Sequence, residues 1–245
     1  MKITCPICSH NGAWMIRTLK GSRTGRRFPL YACLACDFFF QRPDYHEDAQ
    51  QDRLDFEWHV AKLDVQGRRS QAILEQLAEL HPRATSLLDI GCGPGVSVKL
   101  AQERGWRAAG VEPNPHAVRY AHGHFGLDIV SGYFQAKLFP EPFDMVIVDN
   151  VLEHVADMHG FLTAVLSVLS REGMLFLAVP GRHHGLIDAL FSLVVPRHPK
   201  SLFSDNEVHI NHFSRRAMVR LLQSHGAAIV RERAAGEYFI QRKAS

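Results

Sequence analysis

Three sets of residues in this chain could do chemistry: a glycine turn led by a carboxylate, two Cys-x-x-Cys pairs, and 15 histidines. The turn reads Leu87-Leu88-Asp89-Ile90-Gly91-Cys92-Gly93-Pro94-Gly95. An apolar strand ends there on a carboxylate, three alternate glycines follow, and an amphipathic segment begins. Glycine has no Cβ and tolerates positive φ, so a ligand can lie against bare backbone. The helix that follows aims its N-terminal N–H groups at the same spot. A second acid, Glu112, closes the next apolar run, Ala108-Ala109-Gly110-Val111, 23 residues beyond Asp89. An acid at that distance, on the tip of the second strand, is placed to accept hydrogen bonds from both hydroxyls of a ribose.

Two cofactors fit that pair, a nicotinamide dinucleotide and S-adenosyl-L-methionine. The dinucleotide fingerprint is G-x-G-x-x-G, with backbone N–H groups aimed at a pyrophosphate. Here the spacing is Gly91-x-Gly93-x-Gly95, and Asp89 stands in front of it. A carboxylate beside the turn repels a pyrophosphate but suits the cationic sulfonium and ammonium of S-adenosyl-L-methionine. A ligand-free structural turn has no need of the matched acid on the next strand.

Four of the five cysteines form Cys5-x-x-Cys8 and Cys33-x-x-Cys36, with 24 residues between the pairs. Two such knuckles suit tetrahedral Zn2+, which takes soft thiolates at about 2.3 Å. A unit of some 40 residues has little core of its own, and a metal commonly supplies the missing stability. Redox chemistry is the rival, because Cys-Pro-x-Cys occurs in thiol oxidoreductases. That motif opens a helix in a βαβ unit, and neither pair here does. Cys5, Cys8, Cys33 and Cys36 are therefore expected to hold structural zinc. The separation exceeds the commonest ribbon range, and Asp37 stands where a knuckle glycine often follows. Cys92 reads as a small filler of the glycine turn.

The elements that must position these groups follow from periodicity. Residues 68–80 carry Ile73, Leu74, Leu77 and Leu80 at helical spacing. Strands are expected at 86–90, 107–111, 127–131, 144–149 and 174–179, and helices at 95–104, 115–124, 158–170 and 214–225. Strand–helix alternation means βαβ units and a parallel sheet covered on both faces. The apolar segments 227–231 and 238–241 have only a short turn around Gly236 between them, so they should form an antiparallel hairpin. The expected fold is α/β: a doubly wound, mostly parallel, seven-stranded sheet with the last strand antiparallel, plus a small N-terminal zinc-ribbon module. The organisation reads as 1–42 module, 43–66 connector and 67–245 main domain, with 181–208 as a lid or insertion. Its run 185–195 is unusually apolar for a lid and reads as a helix packed on the domain, as a wall for an apolar substrate, or as a dimer contact.

Bulk properties bound the function. Hydrophobic content of 46% and charged content of 22% are those of a soluble globular protein. A net charge of +3 does not argue for nucleic acid without a local patch. The N-terminus has no apolar leader and no run approaches the roughly 18 residues that span a membrane. A cytoplasmic location is the expectation, and oligomeric state is silent.

The motifs together resemble the class I S-adenosylmethionine-dependent methyltransferases, over roughly residues 68–245. Asp89 to Gly95 is similar to their first motif and Val111-Glu112-Pro113-Asn114 to their acidic second motif. Phe143 to Val155, containing Asp149-Asn150-Val151-Leu152-Glu153-His154, resembles the fourth-strand motif of the small-molecule branch. Ser170 to Pro180 looks like the fifth strand and its preceding turn, and His209-Ile210-Asn211-His212-Phe213-Ser214 also recurs in that branch. The resemblance implies that Asp89, Gly91, Gly93 and Gly95 cradle the methionine and sugar portion. It places Glu112 on the ribose, Pro113 beside the adenine, and Asn150 and Val151 at the methionine end. The chain departs after the third strand, where Ser131-Gly132-Tyr133-Phe134 replaces the usual adenine-binding Asp; backbone and an aromatic face are then expected to serve. Cys33 to Pro43 resembles the end of a zinc-ribbon module that recurs ahead of bacterial methyltransferases and caps or orients the substrate.

Methyl transfer needs the nucleophile near 3 Å from the methyl group, and a neutral oxygen or nitrogen acceptor also needs a base. Histidine titrates in the right range. His154 follows the fourth strand, and His209 and His212 follow the insertion that holds His183 and His184. His154 and His212 lead as the base, although His154 could equally brace its loop. The expected function is methyl transfer to a small-molecule acceptor: a sugar, lipid or secondary-metabolite intermediate. One alternative is an RNA methyltransferase gripping its substrate through the ribbon and Arg23, Arg26 and Arg27. Against it, the basic residues are few and lack an interleaved aromatic platform. A non-catalytic scaffold is the other alternative, and intact Asp89 and Glu112 argue against that.

Overall fold

The computed structural model describes residues 2–20, 25–41, 49–180 and 209–243. Two sheets organise the chain. The first is antiparallel and contains β1 (Lys2–Thr4), β2 (Asn11–Lys20), β3 (Arg27–Cys33) and β4 (Phe38–Gln41) in sequence order. Its fifth strand, β10 (Asn211–Phe213), comes from the far end of the chain and pairs with β4.

The second sheet has seven strands in the order β11-β12-β9-β8-β5-β6-β7. These are β5 (Ser86–Ile90), β6 (Arg107–Glu112), β7 (Val130–Ser131), β8 (Phe143–Asp149), β9 (Leu169–Ala178), β11 (Ala227–Ala234) and β12 (Glu237–Arg242). Strands β7, β6, β5, β8 and β9 run parallel, and β12 lies antiparallel between β9 and β11. The doubly wound sheet with one reversed strand is therefore as expected. All five residues of β5 are buried, and so are five of the seven in β8. Continuous apolar strands of this kind belong at the centre of a sheet covered on both faces.

Six helices are described: α1 (Ala49–Val60), α2 (Leu63–Leu80), α3 (Val96–Glu103), α4 (Pro115–Phe125), α5 (Met158–Ser167) and α6 (Arg215–Gln223). On one face, Ile73, Leu74 and Leu77 of α2 join Leu87, Met145, Phe176 and Phe239. On the other, α5 and α6 bury Leu162, Val165, Met218 and Leu221 against Leu88, Val146, Val148 and Leu177. Cys5, Ile7, Phe38 and Phe40 belong to that same cluster, so the N-terminal sheet shares its core with the main domain. Helix α4 shows why local sequence suffices for some boundaries. The Asn114 side chain accepts the His116 and Ala117 N–H groups, Pro115 opens the helix, and Gly126 closes it at φ 66°.

Four stretches differ from the sequence expectation. Helix α5 stops at Ser167 and β9 begins at Leu169, because Leu169 pairs with Phe143 and the Phe143 N–H donates to the Val168 carbonyl. Of 127–131 only Val130 and Ser131 enter the ladder, while Leu127 and Ile129 are buried in a core with Val98 and Ala121. The stretch 43–66 contains helix α1. Residues 211–213 form a strand where none was expected. The insertion 181–208, with His183 and His184, lies outside the described residues, as do Arg23 and Pro43.

Candidate active site

The glycine turn leaves the carboxyl end of β5 and enters α3 through three left-handed glycines. Gly91, Gly93 and Gly95 have φ of 74°, 53° and 84°. Two of them are sterically pinned. A Cβ on Gly91 would stand 2.5 Å from Val151, and one on Gly95 would stand 2.7 Å from both Leu127 and Ile129. A Cβ on Gly93 would meet nothing within 4 Å. The bare backbone there faces open space, which is where a ligand can approach. Cys92 is buried and its Sγ fills the room that Gly110 leaves, 2.7 Å from where a Cβ would stand. It is the turn filler that its size suggests.

Glu112 ties the turn to the second strand. Its Oε2 accepts the Gly93 N–H and its Oε1 the Asn114 N–H, both at 2.8 Å. These two bonds hold the Glu112 carboxylate at the tip of β6, beside the glycine turn. Asp89 is buried at 4% exposure. Burial pushes its carboxyl up to about 7, the negative charges of Asp149 and Glu112 add to this, and a hydrogen bond from Ser97 opposes it. Acids thus crowd the carboxyl ends of β5, β6 and β8, and the potential there favours a cation. Asp149 is met by Arg69 of α2 through two hydrogen bonds of 2.8 and 3.0 Å. Arg69 also bonds Glu237 at the start of β12, which clamps α2 across the sheet.

Beyond β8 the chain bends sharply. Asn150 takes φ 56° and its N–H donates to the Ala178 carbonyl, so the backbone turns back at once and sets Val151 against Gly91. Pro113 is exposed beside the cap of α4. Tyr133 is exposed just past β7, whereas Phe134 packs against Phe139 and Phe161. Tyr133 is the residue that keeps an aromatic face available near the tip of β6.

The three histidines expected at the reactive end separate into two kinds. His154 lies on the 3-10 turn Leu152–His154, half-exposed, with its ring 5.0 Å from that of His209. His212 is buried on β10, its Nε2 3.4 Å from Gln41 Nε2. The sequence reading missed Glu153. Its side chain is fully buried, and neither carboxylate oxygen has a hydrogen-bond partner in another described residue. Burial pushes its carboxyl up to about 8; its own backbone N–H pulls the other way, and the Asp149 charge adds to the rise. The signal was only its place beside His154. It also missed Gln41, whose Nε2 donates to the His209 carbonyl at 3.3 Å from the other end of the chain.

The four N-terminal thiols converge. Cys5 and Cys36 Sγ are 3.6 Å apart, as are Cys8 and Cys33 Sγ, and all four lie within 4.8 Å of one another. Tetrahedral zinc with bonds of about 2.3 Å sets its sulfur ligands about 3.8 Å apart, so the donor set fits. All are free thiols. Ser9 and Asp37, which follow the second cysteine of each knuckle, take φ of 55° and 56°. Asp37 thus supplies the left-handed residue that glycine often provides, and Asp tolerates it better than most.

Among the described residues no helix is long and apolar enough to cross a membrane. A family profile described as "Methyltransferase domain" matches residues 62–232. The chain is 32% identical over 103 residues to a ubiquinone biosynthesis O-methyltransferase of Methylobacterium sp. (strain 4-46), covering 40% of this chain and 41% of that one. The corresponding Caulobacter vibrioides enzyme is 35% identical over 106 residues, with 40% and 41% covered. The chain thus matches about two fifths of the length of these relatives. Among solved structures, the plantazolicin methyltransferase BpumL in complex with SAH superposes with a TM-score of 0.55 at 12% identity, covering 80% of this chain and 90% of that one. A putative S-adenosyl-L-methionine-dependent methyltransferase from Methanococcus maripaludis gives 0.55 at 14% identity, with 83% and 97% covered. Those structures share the fold. With its seven-stranded sheet, its acid-led glycine turn and the family match over residues 62–232, the chain belongs to the class I S-adenosylmethionine-dependent methyltransferases.

Proposed function

We propose that the protein transfers a methyl group from S-adenosyl-L-methionine to a small-molecule acceptor. The observation that carries this is the pairing of an open Gly93 backbone with the buried acids Asp89 and Glu112 around it. That arrangement fits a cationic nucleoside and disfavours a pyrophosphate. When bound, the cofactor supplies an electrophilic methyl group on a sulfonium. Asp89, Gly91, Gly93 and Gly95 hold its methionine and sugar portion, and Glu112 takes the ribose hydroxyls. Pro113 and Tyr133 border the adenine, and Asn150 and Val151 border the methionine end. His154 and His209 stand at the end of β8, where an acceptor would enter, and are the groups that activate it. His212, buried against Gln41, positions that segment.

The relatives named as ubiquinone biosynthesis O-methyltransferases favour an oxygen acceptor on a small molecule. The four thiols hold structural zinc, and grouped thiols without a disulfide suit the reducing cytoplasm. Calorimetry with S-adenosyl-L-methionine and S-adenosylhomocysteine tests the cofactor: Glu112→Gln should weaken both at least tenfold. Failure of the wild-type protein to bind either ligand would remove the reading. Labelled-methyl incorporation from a metabolite fraction, compared with an RNA fraction, tests the acceptor class.

A further inference from the structure

Glu153 presents a problem that the cofactor site does not solve. A carboxyl group with no exposure and no hydrogen-bond partner in another described residue is unfavourable unless something compensates it. The His154 imidazole stands beside it, with Nε2 3.8 Å from Oε1. One ligand atom from each of Glu153, His154 and His209 lies within 4.8 Å of the others. A carboxylate and two imidazoles are a donor set that holds divalent first-row cations while leaving positions open. Around an ion at about 2.1 Å the donors stand about 3.4 Å apart. The cluster therefore closes by a small inward turn of the half-exposed His154 ring.

The third donor arrives through the N-terminal module. Strand β4 leaves the Cys36 knuckle and pairs with β10, the Gln41 N–H donates to the Ile210 carbonyl at 2.8 Å, and Gln41 Nε2 donates to the His209 carbonyl. From β10 the contacts run straight to the turn that carries the other two donors. The Ile210 N–H donates to the Glu153 carbonyl, and Asn211 Nδ2 donates to the Leu152 and Val155 carbonyls. The two histidines are 55 positions apart in sequence, and this docking is what brings them together.

We propose that Glu153, His154 and His209 form a binding site for one divalent cation, assembled when the cysteine module docks, and that an acceptor hydroxyl takes its open position. The acceptor role rests on the methyltransfer reading; the cation site does not. Coordination lowers the hydroxyl pKa, and its proton passes to solvent. Transfer then forms the oxygen–carbon bond while the carbon–sulfur bond breaks and its electron pair returns to sulfur, so charge and atoms balance without a further reactant.

Cobalt(II) is the probe, added to full-length protein whose four-thiolate site is already filled with zinc. The expected result is one further equivalent, with weak visible bands and no thiolate charge-transfer band. Glu153→Gln and His209→Gln should each weaken it at least 100-fold. Gln41→Ala, which touches no donor atom, should weaken it about tenfold, as loss of a supporting hydrogen bond does. Circular dichroism and melting temperature establish that each variant is folded, and His154→Gln, on a half-exposed side chain, replaces Glu153→Gln if that variant does not fold. Asp89→Asn should keep full cobalt affinity while its cofactor affinity falls at least tenfold, and Glu153→Gln should lose cobalt while keeping cofactor affinity. Absence of a second equivalent, or visible bands that survive both Glu153→Gln and His209→Gln, overturns the cation site. Cobalt binding without any cofactor binding overturns the methyltransfer reading alone.

Discussion

Replacing Asp89 by Asn should raise the stability of the ligand-free protein at alkaline pH and leave it unchanged in acid. The reasoning starts from burial. Asp89 lies at 4% exposure, with the charges of Asp149 and Glu112 nearby and only Ser97 in opposition. These push its carboxyl from 3.8 up to about 7. At roughly 1.4 kcal/mol per pH unit, the ionised form is disfavoured in the fold by about 4 kcal/mol. Below pH 3.8 the folded and unfolded chains both hold the proton. Between there and pH 7 the unfolded chain sheds it while the fold keeps it, so stability falls as pH rises. Above 7 the whole penalty is present. Asn keeps the shape and removes the charge. Melting temperatures of wild type and Asp89→Asn should therefore coincide near pH 4 and diverge by about 8–16 °C near pH 8, at roughly 2–4 °C per kcal/mol for a chain of this size. The cofactor side has the opposite sign, because a bound cation restores the charged form. Wild-type affinity for S-adenosyl-L-methionine should rise by up to about tenfold per pH unit from roughly 5.5 to 7 with proton release, and Asp89→Asn should show no such slope. A constant gap in melting temperature across the pH range, or a flat wild-type affinity, would refute the argument.

Gly93→Ala should fold, since its Cβ meets nothing, at about 1 kcal/mol for the left-handed φ, and should lower cofactor affinity measured by calorimetry. Gly95→Ala should instead melt several degrees lower, because its Cβ strikes Leu127 and Ile129. Arg69→Met leaves Asp149 and Glu237 without their shared partner at a site about a third exposed; a loss of about 1–3 kcal/mol in urea titrations is expected. Stripping the four-thiolate metal with a thiol-reactive mercurial plus chelator should release one zinc per chain and unfold β1–β4. Because Phe38 and Phe40 share a core with α5 and α6, the melting temperature of the main domain should fall as well. An unchanged main-domain transition would show that the two cores are independent.

Much of the site is legible in the amino-acid sequence. The left-handed Gly91, Gly93 and Gly95 and the strand-end acids Asp89 and Glu112 stand out by residue type and spacing. Each answers a requirement met within a few residues of chain: φ above zero, a missing Cβ, a strand tip. The two Cys-x-x-Cys knuckles do the same, and even Asp37 fits, since Asp can occupy the left-handed position that follows Cys36. What stays hidden are Glu153, Gln41 and Arg69. Glu153 looks like one more polar residue beside His154, because the orientation of a side chain on a one-turn helix has no periodicity to betray it.

The sheet, its reversed strand, the glycine turn and the four-thiol cluster can all be read from the amino-acid chain. These depend on backbone preferences, on apolar periods of about two and 3.6, and on ligand spacing, all carried by neighbours in the chain. Long-range packing alone makes β10 complete the N-terminal sheet, brings Gln41 to His212 across 171 positions, and sets Arg69 on Asp149 across 80. Such contacts are chosen by which surfaces bury one another once the elements exist. A local pattern holds no record of that choice, and the cluster of Glu153, His154 and His209 is built almost wholly from it.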